Sequence, residues 1–484
     1  MTGRIKAGLR VFGAVMALSS LMILPSLLLA VLWQEATVLP FVEAMVPSFL
    51  AGLMLWLVFR NEHYALRLRD GFLITVGIWI IASAVTAVPF YLALPQLSFS
   101  DAVFESTSGL TTTGATVLVG LDHLPRSLLF FRSSLNFFGG IGIVILAIAV
   151  LPMLKIGGIH LCKAESTGPV KDNKLTPRIA ETARTLWAVY LGLNVLCAMA
   201  YWFAGMSLFD AVNHAMTTVA TAGFSTHDAS FGYWDNALID TVAIVFMLLG
   251  GASFSLHWYA WRAATISHYQ ANSELRAFLA ICAVFTLVVM VYLLFSGEMH
   301  TGGTALRHAA FQVVSHITTT GYASTGFSHW PGMLPILMIM LAFIGGCSGS
   351  TAGGIKVARV QLVIQQGLRE LKQLVHPKAQ FLVTMGGKRV SESVVISVAG
   401  FCALYITVYL LLVLLLTADN VNLLTAFSAA ASSINNLGPA LGDAAMHYSS
   451  LSDFSTWVLS FGMLIGRLEV FTVLVLLTPQ FWQE

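Results

Sequence analysis

Long apolar stretches separated by short polar segments occupy nearly the whole chain. Ala17 to Trp33, Phe72 to Leu92, Ala188 to Phe203, Leu279 to Phe295 and Val395 to Leu416 each approach or reach the roughly 20 residues that a helix needs to cross a bilayer. Their apolar character is continuous, whereas a membrane barrel needs alternation, so the pattern predicts spanning helices. The first stretch is too long for a secretory leader and no small-residue cleavage site follows it; it is expected to stay as the first helix.

Four segments share one layout of apolar span, short polar-capped helix, glycine-containing turn and apolar span. They are DAVFESTSGLTTTGAT around Gly114, DAVNHAMTTVATAGFS around Gly223, HAAFQVVSHITTTGYA around Gly321 and TAFSAAASSINNLGPA around Gly438. Twelve residues before each glycine stands an alanine (Ala102, Ala211, Ala309, Ala426), and six before it a hydroxyl residue (Ser108, Thr217, Ser315, Ser432). The apolar span after each glycine carries a second small-residue mark: Gly139-Gly140, Gly250-Gly251, Gly345-Gly346 and Gly466. Close helix contacts alone would explain scattered small residues. They would not explain why each intervening segment is too short to cross, is rich in Thr, Ser and Asn, and begins near a helix-capping position, Ser100, Ser207, Gly303 or Asn422. Such a segment must re-enter the membrane and be buried in protein.

The predicted fold is an all-α polytopic membrane protein, four span–pore loop–span repeats around a pseudo-fourfold pore plus an N-terminal helix pair. The expected boundaries are 1–68 for the two-helix unit, 69–155 for repeat one, 156–183 for a cytoplasmic linker, 184–264 for repeat two, 265–375 for repeat three with a gating loop, and 376–484 for repeat four.

Composition agrees with this class: 57% of residues are hydrophobic and 10% charged, against roughly 25% charged in soluble domains. The 25 Lys and Arg fall in clusters: Arg4 to Arg10, Arg60 to Arg69, Lys155 to Arg184, Arg262 to Arg276 and Lys356 to Arg389. The positive-inside rule puts these segments, and the N-terminus, in the cytoplasm. Arg126, Arg132 and Arg307 fall at the outer side with Asp228 and Asp235, and Arg467 stands alone in an apolar stretch. Five scattered cysteines, without a CxxC, support neither a disulfide framework nor a metal site.

A cation leaving water needs its hydration replaced, and stacked backbone carbonyls supply neutral oxygen ligands. Turning successive carbonyls to one axis needs φ > 0, which glycine adopts without strain, and the pore helix points its negative end at the same axis. The candidate ion ligands, mainly through backbone carbonyls, are Thr111, Thr112, Thr113 and Gly114; Ala220, Thr221, Ala222 and Gly223; Thr318, Thr319, Thr320 and Gly321; and Asn435, Asn436, Leu437 and Gly438. Thr319-Thr320-Gly321-Tyr322 is the run most similar to the TVGYG loop of potassium channels.

Below the third loop, Gly345, Gly346, Cys347, Ser348, Gly349, Ser350, Thr351, Ala352, Gly353 and Gly354 hold five glycines. At about 1 kcal/mol each these oppose helix, so the stretch is expected to interrupt the span and obstruct the pore where it lines a cavity. Lys356 closes it. Arg467 is costly in lipid and is expected to face inward, hydrogen-bonding loop carbonyls and setting a positive charge in the ion's path; pairing with Glu469 is the structural alternative.

These loops, with FIGGCSGSTAGGIK at Phe343 to Lys356 and GRLEVF at Gly466 to Phe471, resemble the Trk/Ktr/HKT superfamily of K⁺ transporters over nearly the whole chain. The N-terminal pair of spans makes the resemblance strongest to the bacterial TrkH branch. It implies uptake of K⁺ as the transported ion without an organic cofactor, and residence in the bacterial inner membrane. It also implies an intramembrane gating loop at Gly345 to Gly354, a homodimer, and a cytosolic TrkA-type nucleotide-binding regulator on the basic inner loops. Glycine at Gly114, where Na⁺-transporting members can carry serine, implies K⁺ preference. A Na⁺-conducting or H⁺- or Na⁺-coupled symporter is the alternative.

Gly349 to Lys356 fails as a phosphate loop, because Ile355 separates glycine from lysine and no Ser or Thr follows. A remote alternative is an intramembrane enzyme: Leu441-Gly442-Asp443 resembles an aspartyl protease motif, but it directly follows a pore loop and no second aspartate sits at comparable depth in another span. No nucleic-acid partner is expected. His214, His308 and His316 on the pore helices lack metal-ligand spacing and are expected to be hydrogen-bonded, and Glu105 is expected to be a buried structural acid behind the first loop.

Overall fold

The computed structural model describes residues 3–61, 68–142 and 179–483. Among these the regular structure is helical, apart from one pair of two-residue antiparallel strands, Thr384–Met385 with Lys388–Arg389. The expected linker at 156–183 lies almost wholly outside the described residues.

Gly3–Leu21 and Leu24–Leu32 form one apolar stretch, and Val38–Val58 packs against the first of them. Two glycines let the backbones meet: a Cβ on Gly13 would stand 2.6 Å from the Trp56 nitrogen, and one on Gly52 would stand 2.5 Å from the Ala17 nitrogen. Between helices in lipid, such dispersion contact replaces the hydrophobic drive that water would supply.

Repeat one comprises Leu68–Ala93, the pore helix Phe99–Leu110 and Arg126–Ile141. Repeat two comprises Ile179–Phe203, the pore helix Leu208–Val219 and Ala237–Gly251. Repeat three has Ser273–Phe295, the pore helix Gly302–Ile317 and Leu334–Leu341; repeat four has Glu392–Ala418, the pore helix Leu423–Asn435 and Asp453–Leu468. The pore helices are buried in protein as re-entry demands: every residue from Ala102 to Leu110 and from Ser428 to Asn435 is buried.

Two of the four expected caps are displaced. Ser207 and Asn422 cap as expected, but Ser98 and Thr301 cap in place of Ser100 and Gly303. Ser98 accepts from the Asp101 N–H at 3.1 Å and its own N–H reaches the Asp101 carboxylate, a reciprocal capping box; Gly303 has no side chain with which to cap.

In repeats two and four the apolar span expected after the glycine is broken rather than continuous. Ala237–Gly251 bends by 98° into Phe254–Ala263, and Asp453–Leu468 by 113° into Val470–Leu477 at Glu469, whose φ is 63°. In repeat three the helix Leu334–Leu341 lasts 8 residues before giving way to the glycine-rich stretch. The small-residue marks explain where the breaks sit. A Cβ on Gly139, Gly250 or Gly466 would stand 1.9, 2.9 or 2.2 Å from the carbonyl of Leu110, Val219 or Ile434, so the pore helices of repeats one, two and four rest their C-terminal ends on the glycine of their own repeat.

Candidate ion pathway

All four pore helices end alike. The N–H one residue before the repeat glycine donates to the carbonyl six before it: Thr113 to Ser108 at 2.9 Å, Ala222 to Thr217 at 2.9 Å, Thr320 to Ser315 at 2.8 Å and Leu437 to Ser432 at 2.8 Å. The N–H two residues before the glycine donates to the carbonyl five before it, from Thr112, Thr221, Thr319 and Asn436 to Gly109, Thr218, His316 and Ser433. This paired closure requires a left-handed residue. It is Thr112, Thr221, Thr319 and Asn436, with φ of 55°, 51°, 54° and 54°. Glycine or asparagine usually fills that position, and threonine there stores strain on the order of 1–2 kcal/mol.

The glycines then form a ring. A Cβ on Gly114 would stand 2.4 Å from the Gly223 nitrogen, on Gly223 2.7 Å from the Thr320 carbonyl oxygen, on Gly321 2.0 Å from that of Leu437, and on Gly438 2.7 Å from that of Thr113. The contacts run from repeat one to two, three, four and back to one. Gly114, Gly321 and Gly438 have φ of 80°, 79° and 104°, whereas Gly223 is outside the left-handed region. The expectation that every repeat glycine serves a positive φ is therefore corrected: at Gly223 the close approach of Thr320 is what requires a missing side chain.

Thr111, Thr112, Thr113, Ala220, Thr221, Ala222, Thr318, Thr319, Thr320, Asn435, Asn436 and Leu437 are all buried beside the ring. Side-chain hydroxyls and amides here bond to protein: Thr111 to the Thr107 carbonyl at 2.7 Å, Thr318 to that of Val314 at 2.7 Å, and Asn436 to Thr113 Oγ1 at 3.0 Å. Repeat four departs from the others in one respect, since the Gly438 carbonyl accepts from the Tyr448 hydroxyl at 2.8 Å and one of its two lone pairs is taken.

Behind each loop a pore-helix side chain reaches the chain that leaves the glycine. In repeat one Glu105 accepts from the Val117 N–H at 3.0 Å and from Thr116 Oγ1 at 2.9 Å. In repeat two His214 Nε2 bonds Ser225 Oγ at 3.0 Å; in three Gln312 donates to the Thr325 carbonyl at 3.1 Å; in four Ser428 Oγ accepts from the Leu441 N–H at 2.8 Å. His308 bonds Ser324 and His316 the Gln312 carbonyl, and among the described residues no His, Cys, Asp and Glu cluster could hold a metal.

The glycine-rich stretch lies against the C-terminal ends of the pore helices. Cys347 N–H donates to the Gly251 carbonyl at 2.8 Å, Thr351 Oγ1 to that of Val219 at 3.0 Å, and Gly354 N–H to that of Asn435 at 3.2 Å. Gly353 N–H donates to Thr319 Oγ1 at 2.7 Å. Gly345, Gly349 and Gly354 have φ of 72°, 76° and 73°, which explains why glycine recurs there. The Gly346 carbonyl accepts from the Val357 N–H at 3.1 Å, Ser350 Oγ donates to the Cys347 carbonyl at 2.6 Å, and buried Lys356, φ 83°, donates to that of Ala352. Arg467 forks from repeat four, donating to the Thr351 carbonyl at 2.9 Å and to those of Gly139 and Gly140 at 2.5 and 3.1 Å. Glu469 pairs with Arg359 at 2.8 Å.

Sequence reasoning missed Glu274. From the start of Ser273–Phe295 it accepts the Ser348 N–H at 2.7 Å and the Ala358 N–H at 3.3 Å, clamping both ends of the stretch. An acid in the first turn of a span usually serves as a cap, and nothing in its local sequence points to a segment 74 residues away.

In the segments that follow the ring glycines, His227 joins two repeats. It contacts the Asp122 carboxylate through Nδ1, lies 3.6 Å from Asp210 through Nε2, and stacks on Tyr233 with ring centroids 3.6 Å apart. Burial pulls its pKa down, but the two carboxylates together outweigh this and raise it; partial burial pushes the Asp122 pKa up, but the bonds and charge of His227 and the bonds from Asp228 together outweigh this and lower it.

A ring of four glycine turns delivered by four re-entrant helices defines a pore-loop membrane protein. The model of the TrkH cation transport protein family matches residues 39–484, and the chain belongs to that family, a family of transporters rather than enzymes. It is 46% identical to the Trk system potassium uptake protein TrkH of Vibrio parahaemolyticus over 98% of this chain and 99% of that one, and 44% identical to the protein of the same name in Escherichia coli, with the same coverage. The crystal structure of the potassium transporter TrkH from Vibrio parahaemolyticus superposes with a TM-score of 0.90 over 99% of this chain and 100% of that one, at 44% identity.

Proposed function

We propose that this chain takes up K⁺ into the cell through a filter built at the four-glycine ring, with the glycine-rich stretch and Arg467 as its gate. The supporting observation is the ring itself, in which four left-handed residues and four glycines recur in matched positions and the backbones pack in cyclic order. Backbone carbonyls of Thr111 to Gly114, Ala220 to Gly223, Thr318 to Gly321 and Asn435 to Gly438 are the ligands in this reading, and they replace the hydration of the ion. Relatives that match the chain end to end are named as potassium uptake proteins.

The gate reading rests on the bonds from Gly345 to Gly354 to the loop ends of repeats two, three and four, and on the fork of Arg467 that adds repeat one. The protein sits in the inner membrane with its N-terminus in the cytoplasm, as the basic clusters favour. The relatives' names place them in a Trk system, which supports a further component; in this reading that component is a cytosolic nucleotide-binding regulatory subunit of TrkA type on the basic inner loops, and the chain assembles as a homodimer.

Purified protein in liposomes should accumulate Rb⁺ down a K⁺ gradient, with a reversal potential that follows K⁺ when Na⁺ or H⁺ is varied. Absence of K⁺ or Rb⁺ flux would overturn the proposal. A reversal potential that follows Na⁺ or H⁺ would replace it with a Na⁺ conductor or a coupled symporter.

A further inference from the structure

The four braces behind the loops occupy nearly equivalent positions and differ in kind. Nine residues before the glycine stand Glu105, His214, Gln312 and Ala429, and in repeat four the neighbouring Ser428 takes over. Repeat one alone uses a carboxylate. That carboxylate is buried together with Arg132, whose Nε donates to Glu105 at 2.7 Å, with side-chain exposures of 0% and 1%.

Arg132 comes from Arg126–Ile141, the second helix of repeat one, and its guanidinium is used on every side. Nη2 donates to Thr116 Oγ1 at 3.1 Å, Nη1 crosses to repeat two and donates to the Ser225 carbonyl at 3.0 Å, and the plane lies 4.1 Å from the Phe224 ring. Ser225 and Thr116 each sit two residues beyond their repeat's glycine. The network reaches further, because the Thr116 carbonyl accepts from the Tyr448 N–H at 2.8 Å and the Tyr448 hydroxyl holds the Gly438 carbonyl at 2.8 Å. One buried ion pair therefore links the outgoing chains of repeats four, one and two, all adjoining in the ring.

Desolvating a carboxylate and a guanidinium is expensive unless both are well hydrogen-bonded, and here each nitrogen of Arg132 and both oxygens of Glu105 have a partner. Packed apolar residues would secure the same helices without that cost, so the pair is more than cohesion requires. What a charged, planar, five-donor group adds is geometry: it holds the Ser225 carbonyl of repeat two at a set distance from Thr116 and from Glu105, which itself holds the Val117 N–H of repeat one.

We propose that Glu105 and Arg132 are positioning residues that hold the filter at the width K⁺ requires, so that discrimination against the smaller Na⁺ depends on the brace between repeats one and two. The proposal rests on the reading of the glycine ring as the filter. Carbonyls free to move inward can solvate a smaller ion, whereas braced ones cannot follow it.

The test measures the Rb⁺ to Na⁺ flux ratio in liposomes for Arg132→Lys, Glu105→Gln and Thr116→Val, with thermal stability recorded alongside. Gly114→Ser, which alters the ring directly, serves as the reference. Each brace variant is expected to lower the ratio about tenfold, the effect of losing one charge-assisted hydrogen bond. Thr116→Val is neutral and nearly isosteric, so it keeps the test open if either charge variant fails to fold. Lower stability with an unchanged ratio would overturn the proposal and leave a structural ion pair. If Gly114→Ser shifts the ratio and the brace variants do not, the brace is overturned while the filter stands; if none shifts it, the filter reading falls as well.

Discussion

Arg467 Nη1 lies 2.9 Å from the carbonyl oxygen of Thr351, and its Nη2 reaches the carbonyls of Gly139 and Gly140. One side chain of repeat four thus ties the glycine-rich stretch of repeat three to the second helix of repeat one. The contact depends on shape as well as charge, because a planar fork can serve three carbonyls at once and an ammonium on a flexible stem cannot.

Replacement of Arg467 by lysine separates these two roles. If the charge alone obstructs the ion, Arg467→Lys should conduct like the unchanged protein and Arg467→Ala should conduct more. The three-carbonyl fork predicts instead that both variants raise Rb⁺ flux, by about tenfold for a loss of roughly 1.4 kcal/mol of closed-state bonding. Initial rates of Rb⁺ uptake into liposomes without any regulatory partner decide it. Flux at the unchanged level in both would remove Arg467 from the gate.

Thr351 and Glu274 hold the same stretch from two other directions. Thr351→Val keeps the volume but loses the hydroxyl bonds to Val219 and Gly250, and Glu274→Gln weakens the acceptor for Ser348 and Ala358. Each should raise basal Rb⁺ flux and lower thermal stability by about 1 kcal/mol, and the double variant should exceed either one. Unchanged flux in both would leave these bonds as mere anchoring.

The sequence made some of this legible and hid the rest for identifiable reasons. Spans and glycine columns were readable because apolar runs and invariant spacings are local features. The left-handed Thr112, Thr221 and Thr319 were not, because threonine seldom adopts that conformation; Asn436 at the same place in repeat four was the available hint. Glu105 was visible as a buried acid, but its partner Arg132 lies 27 residues away across a loop and had looked like an outer-side charge. The broken second helix of repeat four turns on a left-handed Glu469, which no propensity scale favours.

The latch of His227 with Asp122 and Asp210 should titrate. Asp228 adds a bond from its N–H to Asp122, and Tyr233 covers the ring. Because His227 has its pKa raised on folding, its contribution is complete below the unfolded value of 6.5 and fades as pH rises through the folded value. Asp122 has its pKa lowered, so its contribution is complete above 3.8 and is lost as pH falls through the folded value. The stability difference between the unchanged protein and His227→Gln should therefore be larger near about pH 5.5 than near about pH 8.5. Thermal unfolding in detergent at the two values checks this, and a difference independent of pH would show that the imidazole is held by stacking alone.

The ring glycines should differ in how badly they tolerate a methyl group. Gly223 has an ordinary φ, so Gly223→Ala carries only the clash with the Thr320 carbonyl, whereas Gly321→Ala combines a φ of 79° with an approach of 2.0 Å to the Leu437 oxygen. Backbone cannot yield as a side-chain tip can, and the left-handed conformation adds roughly 1 kcal/mol or more of its own. Gly321→Ala is therefore expected to abolish Rb⁺ uptake, and Gly223→Ala to reduce it by about tenfold while leaving the fold intact. Gly192 supplies the control, since nothing lies within 4 Å of a Cβ placed there in the middle of Ile179–Phe203, and Gly192→Ala should stabilise that helix by roughly 0.5–1 kcal/mol with uptake unchanged. Uptake and thermal unfolding measured on the three variants together check the order; equal loss at Gly223 and Gly321 would mean that contact, and not backbone conformation, sets the need for glycine throughout the ring.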